Sequence, residues 1–317
     1  MLVNGKWERK WNPVQEKDRE GRFIRQSSAF TNRIDDAQSA VDKGLRLYVA
    51  YICPWATRTL IARSLFNLED FIEVKIFDPV LTDFGWKFGG ESDSTAGSTA
   101  SNIEGVKYAH QLYTMTDDQY TGRATVPVLW DRGGNKIINN ESADILHILN
   151  EDLRSIHNSG INLYPDELKL QINEFNASIY DSLNNGVYRA GFASSQKAYK
   201  EAMVDIFARL EELEIHFANN DFSVGNQLTE SDIRLFVTLI RFDVAYHGLF
   251  KTNIKALSDY PALSAYVNRL LQIEAFAKNT RIDHIKAGYY SVTALNPSGI
   301  IPQGPYMDWF KYLSEGV

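Results

Sequence analysis

The sequence predicts a mixed α/β N-terminal half followed by an all-helical C-terminal half, and three observations predict it. Between positions 45 and 155, short strand-like apolar runs and helix-like stretches follow one another in the order β-α-β-α-β-β-α. Beyond Tyr164-Pro165, apolar residues recur three to four apart with no convincing strand pair. At 317 residues the chain is too long for one ordinary core, and with 44% hydrophobic and 12% aromatic residues it can fill two.

Residues 1–44 are charged and aromatic without sustained periodicity and read as an extended arm, with Arg22-Phe23-Ile24-Arg25-Gln26 as one short strand. The run Leu45-Arg46-Leu47-Tyr48-Val49-Ala50-Tyr51 is strand-like. A helix spans 54–67 and a second strand 71–77, which makes a β-α-β unit. Segment 78–106 is a long loop rich in Gly, Ser, Thr and Asp, and loops of that length in a compact domain are commonly functional. A short helix is expected over 107–115 and strands over 126–130 and 136–138. A further helix opens at Asn140-Glu141-Ser142. Proline inside a strand marks an edge or a special bond, so Val126-Pro127 is a candidate cis peptide. Segments 166–185, 194–219, 230–247 and 259–279 are helical, and Thr229-Glu230-Ser231-Asp232 is a capping-type start. The proline-punctuated tail, 296–317, reads as irregular.

Composition excludes several classes of function. A net charge of −7, with no Lys/Arg cluster interleaved with aromatics, argues against nucleic acid as a partner. The N-terminus lacks the apolar core of a signal peptide, and the most apolar helical stretch, 233–245, is interrupted by Arg234, Arg241 and Asp243, so no membrane span is expected. The six histidines show no ligand spacing, so no metal site is expected. No GxGxxG or P-loop points to a nucleotide.

Cys53 is the only cysteine, and it falls where an apolar run gives way to the helix opening at Pro54. Proline suits the first helical turn, and the free N–H groups and positive dipole end of such a helix favour a thiolate. A lone cysteine is otherwise usually a buried small hydrophobe. A single cysteine cannot form an internal disulfide, which fits a reducing compartment, and the expected location is cytoplasmic. With no second cysteine to resolve a mixed disulfide, turnover at Cys53 needs an external thiol. Glutathione is the abundant choice.

Several segments occur together and in order: Gly21-Arg22-Phe23-Ile24-Arg25-Gln26-Ser27, Cys53-Pro54-Trp55-Ala56, Gly85-Trp86-Lys87-Phe88, Tyr120-Thr121-Gly122-Arg123-Ala124-Thr125-Val126-Pro127, Asn140-Glu141-Ser142, Asn184-Asn185-Gly186-Val187-Tyr188, Leu228-Thr229-Glu230-Ser231-Asp232 and Asn296-Pro297-Ser298-Gly299-Ile300. Across nearly the whole chain this resembles the glutathionyl-hydroquinone reductases, the Xi class of glutathione transferases. The family usually reads Cys-Pro-Trp-Ala-His-Arg, where this chain has Thr57, and Phe-Arg-Asn-Trp, where it has Phe30-Thr31-Asn32-Arg33. The first departure puts in question any imidazole beside the thiol.

The resemblance implies a glutathione transferase fold. A thioredoxin-like, glutathione-binding domain would span 45–155 and an all-helical substrate domain 165–317, with 1–44 as an N-terminal extension. It implies a homodimer and a Cys53-glutathione mixed disulfide as intermediate. Glutathione would be held by Trp86, Arg123, Val126, Glu141 and Ser142, and the aromatic substrate by Tyr188, Tyr289 and Tyr290. Tyr188 and Tyr289 would assist proton transfer. On local pattern alone, Trp86 can simply fill space and Glu141-Ser142 can be a plain helix cap. Two alternatives stand beside this reading: an omega-like thiol transferase or dehydroascorbate reductase, and a non-catalytic interaction module.

Overall fold

The computed structural model describes residues 1–9, 16–90, 92, 94–157 and 159–313. In chain order the principal elements are β1 (Leu2–Val3), β2 (Lys6–Trp7), α1 (Ala37–Lys43), β3 (Leu45–Val49), α2 (Pro54–Leu65), β4 (Ile72–Ile76), α3 (Ala109–Thr116), β5 (Val128–Asp131), β6 (Lys136–Asn139) and α4 (Ser142–His147). There follow α5 (Lys169–Ile179), α6 (Gly186–Gly191), α7 (Gln196–Phe217), α8 (Glu230–Arg241), α9 (His247–Leu249), α10 (Pro261–Leu271), α11 (Glu274–Ala277) and α12 (Ile282–Tyr290).

The chain forms two compact units. In the first, four strands lie in the order β4-β3-β5-β6. β3 pairs parallel with β4 and antiparallel with β5, which in turn pairs antiparallel with β6. Buried at every position, β3 is one of the two inner strands of this sheet, and its apolar run follows from having neighbours on both sides and both faces. Its one charge, Arg46, is only 4% exposed and is matched by Glu73 at 2.6 Å, the Tyr48 hydroxyl at 2.9 Å and the Ser101 carbonyl at 3.2 Å.

Residues 1–9 and 16–44 hold more regular structure than the extended arm expected. Asn4 (φ 47°) and Gly5 (φ 72°) close β1 and β2 into a hairpin, an Asn-Gly pair that suits the tight turn between two strands. α1 starts at an Asp36 side-chain cap and stops at Gly44 (φ 91°). Only Phe23 of the expected strand 22–26 makes a β-bridge, to Lys17. Residues 30–32 run along β6: Asn32 N–H donates to Ile138 O, Asn140 N–H to Phe30 O, and Thr31 bridges Asn139. This stretch covers a sheet edge that would otherwise present unpaired backbone groups.

The second unit is helical. α5 and α8 each run into a π-helical turn, at Tyr180–Asn184 and Phe242–Tyr246. α8 opens with a capping box in which Thr229 N–H and Oγ1 donate to Asp232 Oδ2 at 2.9 and 3.2 Å. The tail is less irregular than expected, since Asp308–Tyr312 forms a 3₁₀ turn that buries Trp309.

The units depart from the expected division in two places. Residues 16–25 cluster with the helical unit, whereas Asp283–Ser291, assigned from sequence to the helical half, cluster with the sheet. The physical reason is the close fit of α12. Gly288 sits so near residues 52 and 79 that a Cβ there would lie 2.4 Å from Ile52 Cδ1 and 2.7 Å from Pro79 O. His284 adds a 2.8 Å hydrogen bond between Nε2 and Ala96 O and an edge-on contact with Tyr51.

Candidate active site

The turn after β3 places Cys53. Cys53 N–H donates to Ala50 O at 3.0 Å, which ends the strand and sets Cys53 in extended backbone (φ −78°, ψ 117°) as N-cap of α2, with Pro54 in the first helical turn. Its carbonyl accepts both Thr57 N–H and Thr57 Oγ1 at 3.0 Å. Thr57, which stands where the family has histidine, is 1% exposed and turns its hydroxyl to the backbone. Cys53 Sγ makes no capping bond to its own helix. Partly exposed, it lies 3.5 Å from Val126 O, at the start of a twelve-residue helix whose dipole favours negative charge at that end. The Val126-Pro127 bond is cis, as its position in a strand-like run suggested.

A second helix start lies in the same unit. Glu141 caps α4, Oε1 accepting Ala143 N–H at 3.1 Å while Oε2 accepts the Ser28 hydroxyl at 2.9 Å. Ser142 Oγ lies 3.4 Å from Glu141 Oε1 and accepts from Arg58 Nη1 at 3.5 Å. Arg58, 2% exposed, stacks over Trp55 with its guanidinium carbon 4.4 Å from the ring centroid. The Cys53 helix and the Glu141 helix are thereby joined through buried polar groups. Sequence reasoning missed Arg58, and its signal was an arginine five residues after Cys53, in the first turns of the same helix.

Asn140 was also missed as a structural node. It is 4% exposed, and its amide donates to Tyr113 Oη at 3.0 Å while its carbonyl accepts Phe30 N–H at 3.0 Å. Arg123 is partly buried, its N–H donating to Gln26 Oε1 and its carbonyl accepting the Tyr120 hydroxyl. Trp86, also partly buried, follows a tight turn at 82–85; its carbonyl accepts Ala109 N–H at 3.0 Å, and its ring lies 6.4 Å from that of Phe77.

α12 belongs to this unit, so its packing on Ile52 brings the helix carrying Tyr289 and Tyr290 against the residue preceding Cys53. Tyr289 is 5% exposed; burial raises the Tyr290 phenol above its usual pKa. Tyr188 belongs to the second unit, on α6, where its ring meets Phe23, Phe192, Tyr246 and Phe250 and the Arg25 guanidinium lies 4.9 Å from its centroid. Arg25 is itself aimed by Asn185, whose Oδ1 accepts its Nε–H at 2.9 Å. Among the described residues no group of three His, Cys, Asp or Glu side chains could hold a metal ion, and no helix is long and apolar enough to cross a membrane.

Comparison with known proteins agrees with this architecture. The description "Glutathione S-transferase, N-terminal domain" matches residues 52–152, and "Glutathione S-transferase, C-terminal domain" matches 196–269. The chain is 41% identical over 306 residues to the glutathionyl-hydroquinone reductase PcpF of Sphingobium chlorophenolicum, covering 96% of each chain. It is 40% identical over 319 residues to the glutathionyl-hydroquinone reductase YqjG of Escherichia coli, covering 97% of this chain and 96% of that one. Among solved structures it superposes on the Xi glutathione-S-transferase from Phanerochaete chrysosporium with a TM-score of 0.87 at 38% identity, covering 92% of this chain and 97% of that one. A thioredoxin-like unit with a cysteine heading its first long helix, a helical unit, and this likeness over nearly the full length all agree: the chain belongs to the glutathionyl-hydroquinone reductases, the Xi class of the glutathione S-transferase family.

Proposed function

We propose that the protein reduces glutathionyl-hydroquinones to hydroquinones at the expense of glutathione, with Cys53 as nucleophile. The observation that carries this reading is the position of Cys53 Sγ, partly exposed at the head of α2 beside the Val126 carbonyl, in a chain with no second cysteine. A thiolate there attacks the glutathionyl sulfur of the substrate, so that an S–S bond forms as the aryl C–S bond breaks. The departing ring carbon takes a proton, and the product hydroquinone carries hydrogen where it carried sulfur. A second glutathione thiolate then attacks the mixed disulfide, regenerating the Cys53 thiolate and releasing glutathione disulfide. Two glutathione sulfurs are oxidised and one aryl carbon is reduced.

Within this reading the residues divide by chemistry. Glu141 and Ser142 at the head of α4 suit the ammonium and carboxylate of the γ-glutamyl group. Val126 offers backbone hydrogen bonds to the cysteinyl portion, Arg123 a charge partner for a carboxylate, and Trp86 an apolar surface. Tyr188, Tyr289 and Tyr290 bind the aromatic ring, and Tyr188 and Tyr289 assist protonation of its carbon. The Arg25 guanidinium, 4.9 Å from the centroid of the Tyr188 ring, helps to hold that ring in place by a cation–π contact. The same reading puts the enzyme in the cytoplasm, where glutathione keeps thiols reduced, and makes it a homodimer, as the family resemblance implies.

Incubation with glutathionyl-menadiol and glutathione tests the reading: menadiol and glutathione disulfide are expected in equal amounts. Cys53→Ser should abolish release, and Tyr188→Phe should slow it without abolishing it. Full reductase rate in Cys53→Ser would refute the mechanism, and activity confined to small disulfides would favour the omega-like transferase.

A further inference from the structure

The N-terminal hairpin has no part in the chemistry above, yet it is built onto the turn that carries Trp86. Its seat is close. Leu2 and Gly122 exchange backbone hydrogen bonds at 2.9 and 3.0 Å, and Gly5 N–H donates to Tyr120 O at 3.0 Å. A Cβ on Gly5 would lie 1.8 Å from Asp118 O, so the hairpin backbone rests directly on residues 118–122. Trp7, the last residue of β2, is thereby held in one place.

Trp7 acts on the turn in two ways. Its Nε1–H donates to Asp83 O at 2.9 Å, and its six-membered ring covers Gly85, where a Cβ would lie 3.1 Å from the Trp7 ring. That turn is closed by Thr82 and Gly85, which exchange backbone hydrogen bonds at 3.1 and 2.9 Å, with Gly85 at φ 79°. Trp86 follows at once. On the other side Trp7 stacks on His110 at 4.6 Å, and His110 on Tyr108 at 5.6 Å; Tyr108 in turn meets Phe84 of the turn at 5.2 Å. His110 also follows Ala109, whose N–H holds the Trp86 carbonyl. One stack of rings therefore fixes the backbone before and at Trp86, a residue that lies in neither helix nor strand.

We infer that Trp7 is a positioning residue for glutathione binding: it preorganises the turn 82–85 so that Trp86 meets the tripeptide already in place. The inference rests on the reading of Trp86 as part of the glutathione site. Ordering a loop on binding costs affinity, and a loop held in its bound form avoids that cost.

The test is calorimetric titration with S-methylglutathione, which binds without reacting. Trp7→Ala should weaken binding by on the order of tenfold, and Trp7→Phe, which keeps a ring but loses the hydrogen bond to Asp83 O, by about threefold. Trp7→Phe carries the test alone if Trp7→Ala fails to fold. The decisive readout is a double-mutant cycle: in a Trp86→Ala background, Trp7→Phe should change affinity by less than about twofold, because the residue it acts through is gone. Wild-type affinity in a folded Trp7→Phe protein, or the full loss persisting without Trp86, overturns the inference. A wild-type protein that binds no S-methylglutathione would instead remove the glutathione reading itself, and the role of Trp7 with it.

Discussion

Gly288→Ala is the substitution for which two opposing effects can be weighed from the structure. Within a helix, alanine is preferred over glycine by about 1 kcal/mol, so a solvent-facing position would gain stability. At 288 the added methyl meets Ile52 Cδ1 at 2.4 Å and Pro79 O at 2.7 Å, where ordinary contacts begin at 3.4 Å. The Ile52 methyl must therefore yield about 1 Å and the Pro79 carbonyl about 0.7 Å if α12 is not to move. A side-chain end can turn aside, but a backbone oxygen cannot. Overpacking of this kind costs about 1–3 kcal/mol, and two contacts below 3.0 Å put it toward the upper end. The net expectation is a loss of about 1–2 kcal/mol in the docking of α12. Hydrogen exchange of the α12 amides measures this directly, and local protection should fall about tenfold. Reduction of glutathionyl-menadiol should fall too, since the helix carries Tyr289 and Tyr290 beside the turn that ends in Cys53. Ile52→Val, which deletes the closest methyl, should restore part of the protection when combined with Gly288→Ala. Equal or greater protection of α12 in Gly288→Ala would refute the close packing argued here.

Two further outcomes follow from buried polar groups. Asn140→Ala leaves the Tyr113 hydroxyl and Phe30 N–H without the amide that bonds them, so it should cost about 1–3 kcal/mol and speed exchange of the Phe30 amide; thermal unfolding and exchange at that residue check both. His110, desolvated by burial and facing the Met1 amine, has its pKa lowered from 6.5 to about 4. Between those values the unfolded chain takes up a proton that the folded one refuses, so stability should be undiminished above pH 6.5 and fall as pH drops toward 4. His110→Phe keeps the ring stack and should flatten that fall in urea-unfolding midpoints; an unchanged slope would sink the assignment.

The head of α2 was legible because everything that makes it is local: an apolar run, a proline suited to the first helical turn, and a cysteine between them. The capping box at Thr229 was legible for the same reason. The hairpin was not, although Asn4-Gly5 is a turn signal, because strands of two residues carry no measurable alternation and exist here by pairing with residues 120–122. α1 escaped likewise. Asp36 and Gly44 bracket it as start and stop signals, but Ala37 is its only buried residue, so it has no apolar stripe to read.

α12 shows where sequence reading stops for a physical reason. Ile282, Ile285 and Tyr289 are buried at helical spacing, so an apolar face was present in the sequence. An apolar stripe says that a helix must pack, and nothing in it says against what. The partner is chosen by groups far away in sequence: the Ala96 carbonyl that meets His284, and the Ile52 and Pro79 atoms that leave no room for a Cβ at 288. His284, fully buried and polar, is the residue that makes the choice costly to reverse, since a helix docked elsewhere would carry that imidazole into apolar surroundings without its carbonyl. The same closeness that excludes a side chain at 288 is what ties the tyrosine helix to the turn that ends in Cys53. The reach of the candidate site is thus set by long-range packing, while its proposed nucleophile, Cys53, is set by sequence neighbours.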